Sequence, residues 1–437
     1  MPNSWYFETA IEWYGKSSIL STLGIVFAKS LSIKTCFSSS LIPGTITCLS
    51  QSFLFFSIHI LNVQKLNWTL AYTSCYCFSN STKLKSVVLP EGLEKIGNNA
   101  FSGCAYLETI NIPSSVTYIG ADVLKNTAWF NYRGKGLVTI DNWIYGYKGA
   151  DADITVYVDK NIKDFADSVF RSNTNIIAFD VDSDNPYYSS ENGVLFNKDK
   201  TVLIEYPCGK TDDTYVVPDT VKAINAYAFY DCKNISNLTI GNNVETIETE
   251  AFTGCGVTYL NIDMEVIPDN AFSSCSNLYD VTIGDSVETI ENSAFYNCDN
   301  LRYITIGKNI KSIGEDAFYY YNNSSSRYVY ISDLEAWCNI DFADAYSNPM
   351  YGYYKYYSTS YYGTYFYING VEATNIAIPE TVTEIKSYAF YECRSIKNIT
   401  IPDSVTSIGN YAFYSCDSLA NITIGNSVES IGNYAFD

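Results

Sequence analysis

Along most of the chain, apolar and polar residues alternate in short bursts that recur at a fixed interval. In Thr109-Ile110-Asn111-Ile112 the alternation has period 2, which predicts a half-buried strand with Ile110 and Ile112 inward and Thr109 and Asn111 outward. A Pro or Gly then ends the strand and turns the chain. A second extended piece carries Val and Ile three apart, as at Val405 and Ile408, and the Gly that follows reads as a tight turn. An Ala-Phe pair closes the unit. In Asn410-Tyr411-Ala412-Phe413 it predicts a single helical turn, with Phe413 as the large core plug.

Aligned on that pair, the phenylalanines fall at Phe229, Phe252, Phe272, Phe295, Phe318, Phe390, Phe413 and Phe436, and most steps are 23 residues. The register extends upstream through Phe101 and Phe78, with Leu124 and Phe170 as weaker members. A period in this range is the signature of a solenoid. One such unit cannot bury its own apolar face, so stacked neighbours must do it. The predicted fold is mainly β with short helical turns: a solenoid of stacked ~23-residue coils with a parallel sheet.

The pattern also sets boundaries. Residues 1–76 do not follow it and form an atypical N-terminal segment, expected to be poorly ordered. Ile19–Ala28 resembles a signal-peptide core after Lys16, but Glu8 and Glu12 spoil the positive region before it. Phe53–Val63 is too short to span a bilayer, so no transmembrane segment is expected. Residues 77–437 form the solenoid. Trp129–Ala150 reads as a degenerate coil, and inserts are expected at about 180–213 and 319–375. The second insert is rich in tyrosine, with ten in the twenty-two residues from Tyr346 to Tyr367. The chain stops at Phe436-Asp437, inside a repeat, which reads as a truncation.

Composition removes several function classes. The net charge of −20 and the absence of a basic stripe exclude nucleic acid as a partner. The single histidine, His59, lies outside the repeats, which counts against acid–base catalysis and zinc. Neither catalytic residues, a metal nor a cofactor are expected. Seven cysteines, Cys104, Cys232, Cys255, Cys275, Cys298, Cys393 and Cys416, sit three residues after a repeat phenylalanine. They are expected to be a column of buried thiols rather than a disulfide ladder, because side chains at one repeat position point in parallel. Asp180, Asp182, Asp184 and Glu191 have the ligand spacing of a calcium loop. Asn185 stands where that loop needs Gly, and no helical pattern flanks it, so the stretch reads as a structural loop.

The unit Ile401-Pro402-Asp403-Ser404-Val405-Thr406-Ser407-Ile408-Gly409-Asn410-Tyr411-Ala412-Phe413-Tyr414-Ser415-Cys416 and its siblings resemble the BspA-like leucine-rich repeat surface protein family over roughly residues 77–437. Residues 182–196 and the stretch Asp333-Leu334-Glu335-Ala336-Trp337-Cys338 resemble insert modules of bacterial members. The resemblance implies a secreted or cell-surface protein that adheres to a host or neighbouring-cell surface protein or glycan. It carries no catalytic motif.

Together these readings give a non-enzymatic binding scaffold, an adhesin expected to be monomeric. The alternative is a structural spacer or stalk fragment of a larger surface protein. Loops inserted in a rigid scaffold often carry function, and tyrosine offers contact area with a polar tip. The candidate ligand patch is therefore Tyr351, Tyr353, Tyr354, Tyr356, Tyr357, Tyr361 and Tyr362. Tyr303, Thr305 and Thr282 join them from the outward positions of the strands.

Overall fold

The computed structural model describes residues 72–437 except 74, 150–152, 172–173, 322–325 and 353–362. The chain divides into two units, Met1–Val116 with Asp122–Ala128, and Thr117–Ala121 with Trp129–Asp437. In the described part of the first, Tyr72–Thr73 pairs in parallel with Lys95–Ile96, and Ser86–Val87 with Thr109–Ile110. Phe78 and Phe101 stack with ring centroids 5.2 Å apart. The Phe78 N–H donates to the Ala100 carbonyl at 2.8 Å, one coil on.

The second unit repeats that arrangement many times. Seven parallel strands stand side by side in chain order: Thr214–Val216 (β1), Asn237–Thr239 (β2), Tyr259–Ile262 (β3), Asp280–Ile283 (β4), Tyr303–Ile306 (β5), Arg327–Ile331 (β6) and Thr364–Ile368 (β7). Val371–Glu372 (β8) closes the sheet, antiparallel to β7. A second row, Val266–Ile267, Thr289–Ile290, Ser312–Ile313 and Asp341–Phe342, is also parallel. Two three-stranded parallel sheets continue the pattern, one beginning at Asn375–Ala377 and the other at Glu384–Ile385. The chain is thus a β-solenoid. Among the described residues its α-helices are Ala128–Asn131 and Leu334–Cys338.

The Phe column is the spine of the core. Phe229, Phe252, Phe272, Phe295 and Phe318 stack at 4.8 to 5.6 Å, and Phe390, Phe413 and Phe436 at 5.0 and 5.1 Å. All but Phe436 are buried. In Tyr259–Ile262, Leu260 and Ile262 close on the same core while Tyr259 and Asn261 stay exposed, as a period of 2 predicts.

Four local expectations need correction. The Ala-Phe segment is not a helical turn. Ser293 and Asn297, on either side of Ala294-Phe295, both take φ near +55°, and Tyr411 and Ser415 do the same one repeat set later. Two left-handed residues fold the chain back within a few positions, which a run of right-handed helix cannot do. The Gly after the second strand is not there for positive φ. A Cβ on Gly409 would lie 2.3 Å from the Ser387 nitrogen of the previous coil, so the residue is needed for close approach between coils.

The cysteine column is mostly thiol, but Cys232 is not: it forms a disulfide with Cys208. Cys208 lies 24 residues earlier, one off the repeat step, and that offset lets two otherwise parallel side chains meet. The other members are buried thiols. Cys298 donates to the Phe272 carbonyl and Cys416 to the Phe390 carbonyl, each at 3.2 Å, and burial pushes both thiols up to about 12. They are unreactive packing groups.

The fourth correction concerns the gap between Phe170 and Phe229. Tyr206, 23 residues before Phe229, takes the plug position and stacks on it at 5.1 Å, and its N–H donates to the Ala228 carbonyl as a repeat Phe does. Within the same stretch Tyr188–Glu191, Val194–Asn197 and Val202–Glu205 form an antiparallel meander. The acidic loop before it is a turn built on a buried side chain. Asn185 donates to the Asp159 and Ile162 carbonyls and accepts from the Tyr187 and Tyr188 N–H groups, while Asp182 accepts from Tyr157 and from the Asp184 N–H.

Candidate binding surface

In a parallel stack of coils, residues at one outward strand position form a row at the inter-strand spacing. From β3 to β7 the register sets two such rows. One is Tyr259, Asp280, Tyr303, Tyr328 and Tyr365; the other is Asn261, Thr282, Thr305, Tyr330 and Tyr367. Stacking follows from that register. Tyr303 and Tyr328 lie 5.0 Å apart at 12°, Tyr328 and Tyr365 at 5.3 Å and 13°, and Tyr330 and Tyr367 at 4.9 Å and 23°. Tyr279, just before β4, extends the strip toward Tyr303 at 5.3 Å and toward Tyr259 at 6.4 Å. Opposite these rows, Val281, Ile304, Val329 and Phe366 are fully buried, so the tyrosines belong to the outer face and not to the core.

The Tyr303 hydroxyl is raised above the ordinary tyrosine value by its hydrogen bond with Tyr279, and burial raises Tyr330 and Tyr367. No Lys or Arg occupies an outward position of β3–β7, and one carboxylate does, Asp280, which desolvation raises. The surface is a comb of aromatic edges and hydroxyls, close to neutral.

Thr282, Thr305 and Tyr303 therefore stand together on this face. Tyr351 does not join them. It packs among the turns, 4.8 Å from Tyr346 and 6.1 Å from Tyr319, both ring centroid to ring centroid. Tyr353, Tyr354, Tyr356, Tyr357, Tyr361 and Tyr362 lie outside the described residues. The sequence reading missed Tyr328, Tyr330, Tyr365 and Tyr367. Their signal was present in the alternating Tyr-Val-Tyr-Ile and Tyr-Phe-Tyr-Ile tetrads, which repeat Tyr303-Ile304-Thr305-Ile306 off the 23-residue step.

On the turn side, Tyr346, Tyr351, Tyr391 and Tyr414 line a groove of about 400 Å3 with Glu392 and Arg394. Burial pushes the Glu392 carboxyl up to about 7, against the downward pull of Arg394 and of the Gly352 N–H that donates to it at 3.1 Å; Asp417 adds a smaller upward push. A raised carboxyl favours the protonated folded state. Stability tied to Glu392 is therefore full at low pH and lost as pH climbs from about 4.5 to about 7. Glu392→Gln should gain on the natural chain over that window, by about 3 kcal/mol at most, and hold a constant lead above it. Melting curves across the range measure this, and a lead that does not change with pH would contradict it.

Among the described residues, no group of three or more His, Cys, Asp and Glu side chains is placed to hold a metal ion, and no helix is long and apolar enough to cross a membrane. The model of the BspA-type leucine-rich repeat region matches residues 26–147, 206–325 and 360–437, with six copies. The chain belongs to the BspA-type leucine-rich repeat family. The first matched stretch starts at residue 26, ahead of residue 77.

Among solved structures, a leucine-rich repeat protein from Eubacterium ventriosum is 19% identical, with 80% of each chain covered and a TM-score of 0.38. The pneumococcal vaccine antigen PcpA is 20% identical, over 83% of this chain and 70% of that one, at a TM-score of 0.36. A leucine-rich cell surface protein from Faecalibacterium prausnitzii is 21% identical, over 80% and 62%, at 0.23. No curated protein sequence matches the chain. The BspA-type repeat accounts for the coil; it does not dictate the tyrosines, which occupy outward positions that the coil leaves open.

Proposed function

We propose that this chain is a non-enzymatic binding scaffold, displayed on a cell surface or secreted, which adheres as a monomer to a surface protein or glycan of a host or a neighbouring cell. One observation carries the reading. The stacked tyrosines of β5, β6 and β7 sit on the outer face of the sheet, where the core does not need them. Large aromatic side chains ordered by their neighbours give contact area with little further ordering on binding. A spacer needs no such row. The ligand-contacting residues in this reading are Tyr303, Tyr328, Tyr330, Tyr365 and Tyr367, with Thr282 and Thr305 beside them.

A glycan and matrix-protein array, probed with residues 72–437 and with a Tyr303→Thr, Tyr328→Thr, Tyr365→Thr triple variant, tests the reading. Threonine keeps strand preference while removing the rings. Binding to at least one array member is expected, weakened at least about tenfold in the variant. Equal binding by a folded variant would move the site off this face.

A further inference from the structure

We propose that the tyrosine comb takes a neutral, linear glycan lying along the stacking direction, with one sugar unit per coil. This rests on the reading of the sheet face as the binding surface and names the ligand class for it. Three observations point the same way.

The first is spacing. Successive rungs are 5.0 and 5.3 Å apart in the row Tyr303, Tyr328, Tyr365, and 4.9 Å apart between Tyr330 and Tyr367. An extended polypeptide laid along the same line offers same-side residues every ~6.6–6.8 Å, so it slips out of step by the second rung. A pyranose with its equatorial linkage advances the chain by close to one rung. A β-1,4-linked oligosaccharide can thus keep step with the coils, with alternate units turned over so that opposite faces meet successive rungs.

The second is what the rings leave exposed. Tilts of 12°, 13° and 23° mean that neighbouring rings cover each other's faces. The ligand meets ring edges, which carry the positive end of the quadrupole, together with phenol hydroxyls and the hydroxyls of Thr282 and Thr305. Such a surface pairs with hydroxyl and ring oxygens at many equal points. Among the described residues the outward rows form an open face of ring edges and hydroxyls, without the single deep apolar anchor site that a protein partner would use.

The third is charge. The outward positions of β3–β7 carry Asp280 and no Lys or Arg, and the chain bears a net charge of −20. Arg302 lies beside the strip, 5.9 Å over the Tyr279 ring, and the net negative chain otherwise repels a sulfated or uronic acid polymer. The length of the comb follows as well. It runs over the five strands β3 to β7, and β8 ends the parallel run by pairing antiparallel, with Glu372 opposite Tyr367.

Calorimetric titration with β-1,4-linked glucose and N-acetylglucosamine oligomers, from dimer to octamer, tests the proposal, with heparin as the anionic control. Affinity should rise with each added unit and level off near the pentamer, while heparin does not bind. Tyr328→Phe, which keeps the stacked ring and loses one hydroxyl, should weaken the pentamer about tenfold. Failure of every oligomer to bind at millimolar concentration, affinity independent of length, or an unaffected Tyr328→Phe variant would each overturn it. The reading of the face survives that failure if a protein from the array loses binding in the triple threonine variant. If that variant binds every array member as the natural chain does, both fall.

Discussion

Phe295→Ala is expected to destabilise the second unit by ~3–5 kcal/mol, with the lost contacts and the cavity acting together. Phe295 is fully buried and lies between Phe272 at 5.6 Å and Phe318 at 5.3 Å, nearly parallel to both. Its removal opens the core between two coils that cannot close without breaking their own register. The main chain resists that closure, because the Phe295 N–H donates to the Ala317 carbonyl at 2.9 Å and the Thr289–Ile290 strand pairs with Ser312–Ile313. In a solenoid each coil is stabilised by its two neighbours. The loss should therefore also reduce cooperativity and split the unfolding transition. Chemical denaturation followed by circular dichroism measures both, and a change below about 1 kcal/mol would contradict the role of the column.

Trp337→Ala should cost a similar ~3–5 kcal/mol, through a different device. In regular coils, the Ala carbonyl of one coil accepts the N–H of the preceding Phe, as Ala317 does from Phe295. At Ala389 the Trp337 indole N–H donates to the carbonyl at 2.7 Å, with the Asn348 amide further off at 3.4 Å. The ring fills the plug space against Phe342 at 5.3 Å and Phe366 at 5.2 Å. Asp333 holds it there by capping the short helix Leu334–Cys338, accepting the Ala336 N–H at 3.0 Å. Trp337→Phe separates the two contributions. It keeps most of the packing and leaves the carbonyl underpaired, so a loss of ~1–3 kcal/mol is expected. Equal stability of Trp337→Phe and the natural chain would show that the hydrogen bond contributes nothing.

The coil was legible because its signal is local and repeated. The inward Ile pair and the Phe three residues before Cys recur at one step, and stacking at that step is the only way such residues become buried. What stayed hidden lies off the step. Tyr206 is a plug without an Ala before it, and Cys208 is displaced by one residue from its column, so neither matched the aligned pattern. The turns around Ala-Phe were read as helical because Asn-Tyr-Ala-Phe tolerates a helix. The two left-handed residues are imposed by the need to return to the next coil, which no local preference announces.

The candidate surface was partly legible for the same reason. Tyr303, Thr305 and Thr282 fall on the regular step and emerged from it. Tyr328 and Tyr365 follow at 25 and 37 residues, after loops of different length, and only strand pairing brings them into one row. Tyrosine density alone drew attention to residues 351–362, whereas the row was made by alternation. Tyr351 illustrates the difference: it is tyrosine-flanked in sequence and sits among turn residues in space.

The central claim is that ligand meets the outer face of β3–β7. Hydroxyl-radical footprinting of tyrosine side chains, with and without the strongest ligand from the array, tests it most directly. The account predicts protection of Tyr303, Tyr328, Tyr330, Tyr365 and Tyr367, with Tyr346, Tyr391 and Tyr414 on the turn side unchanged. Protection confined to those three turn-side rings, with the strand tyrosines labelled as in the free chain, would contradict it.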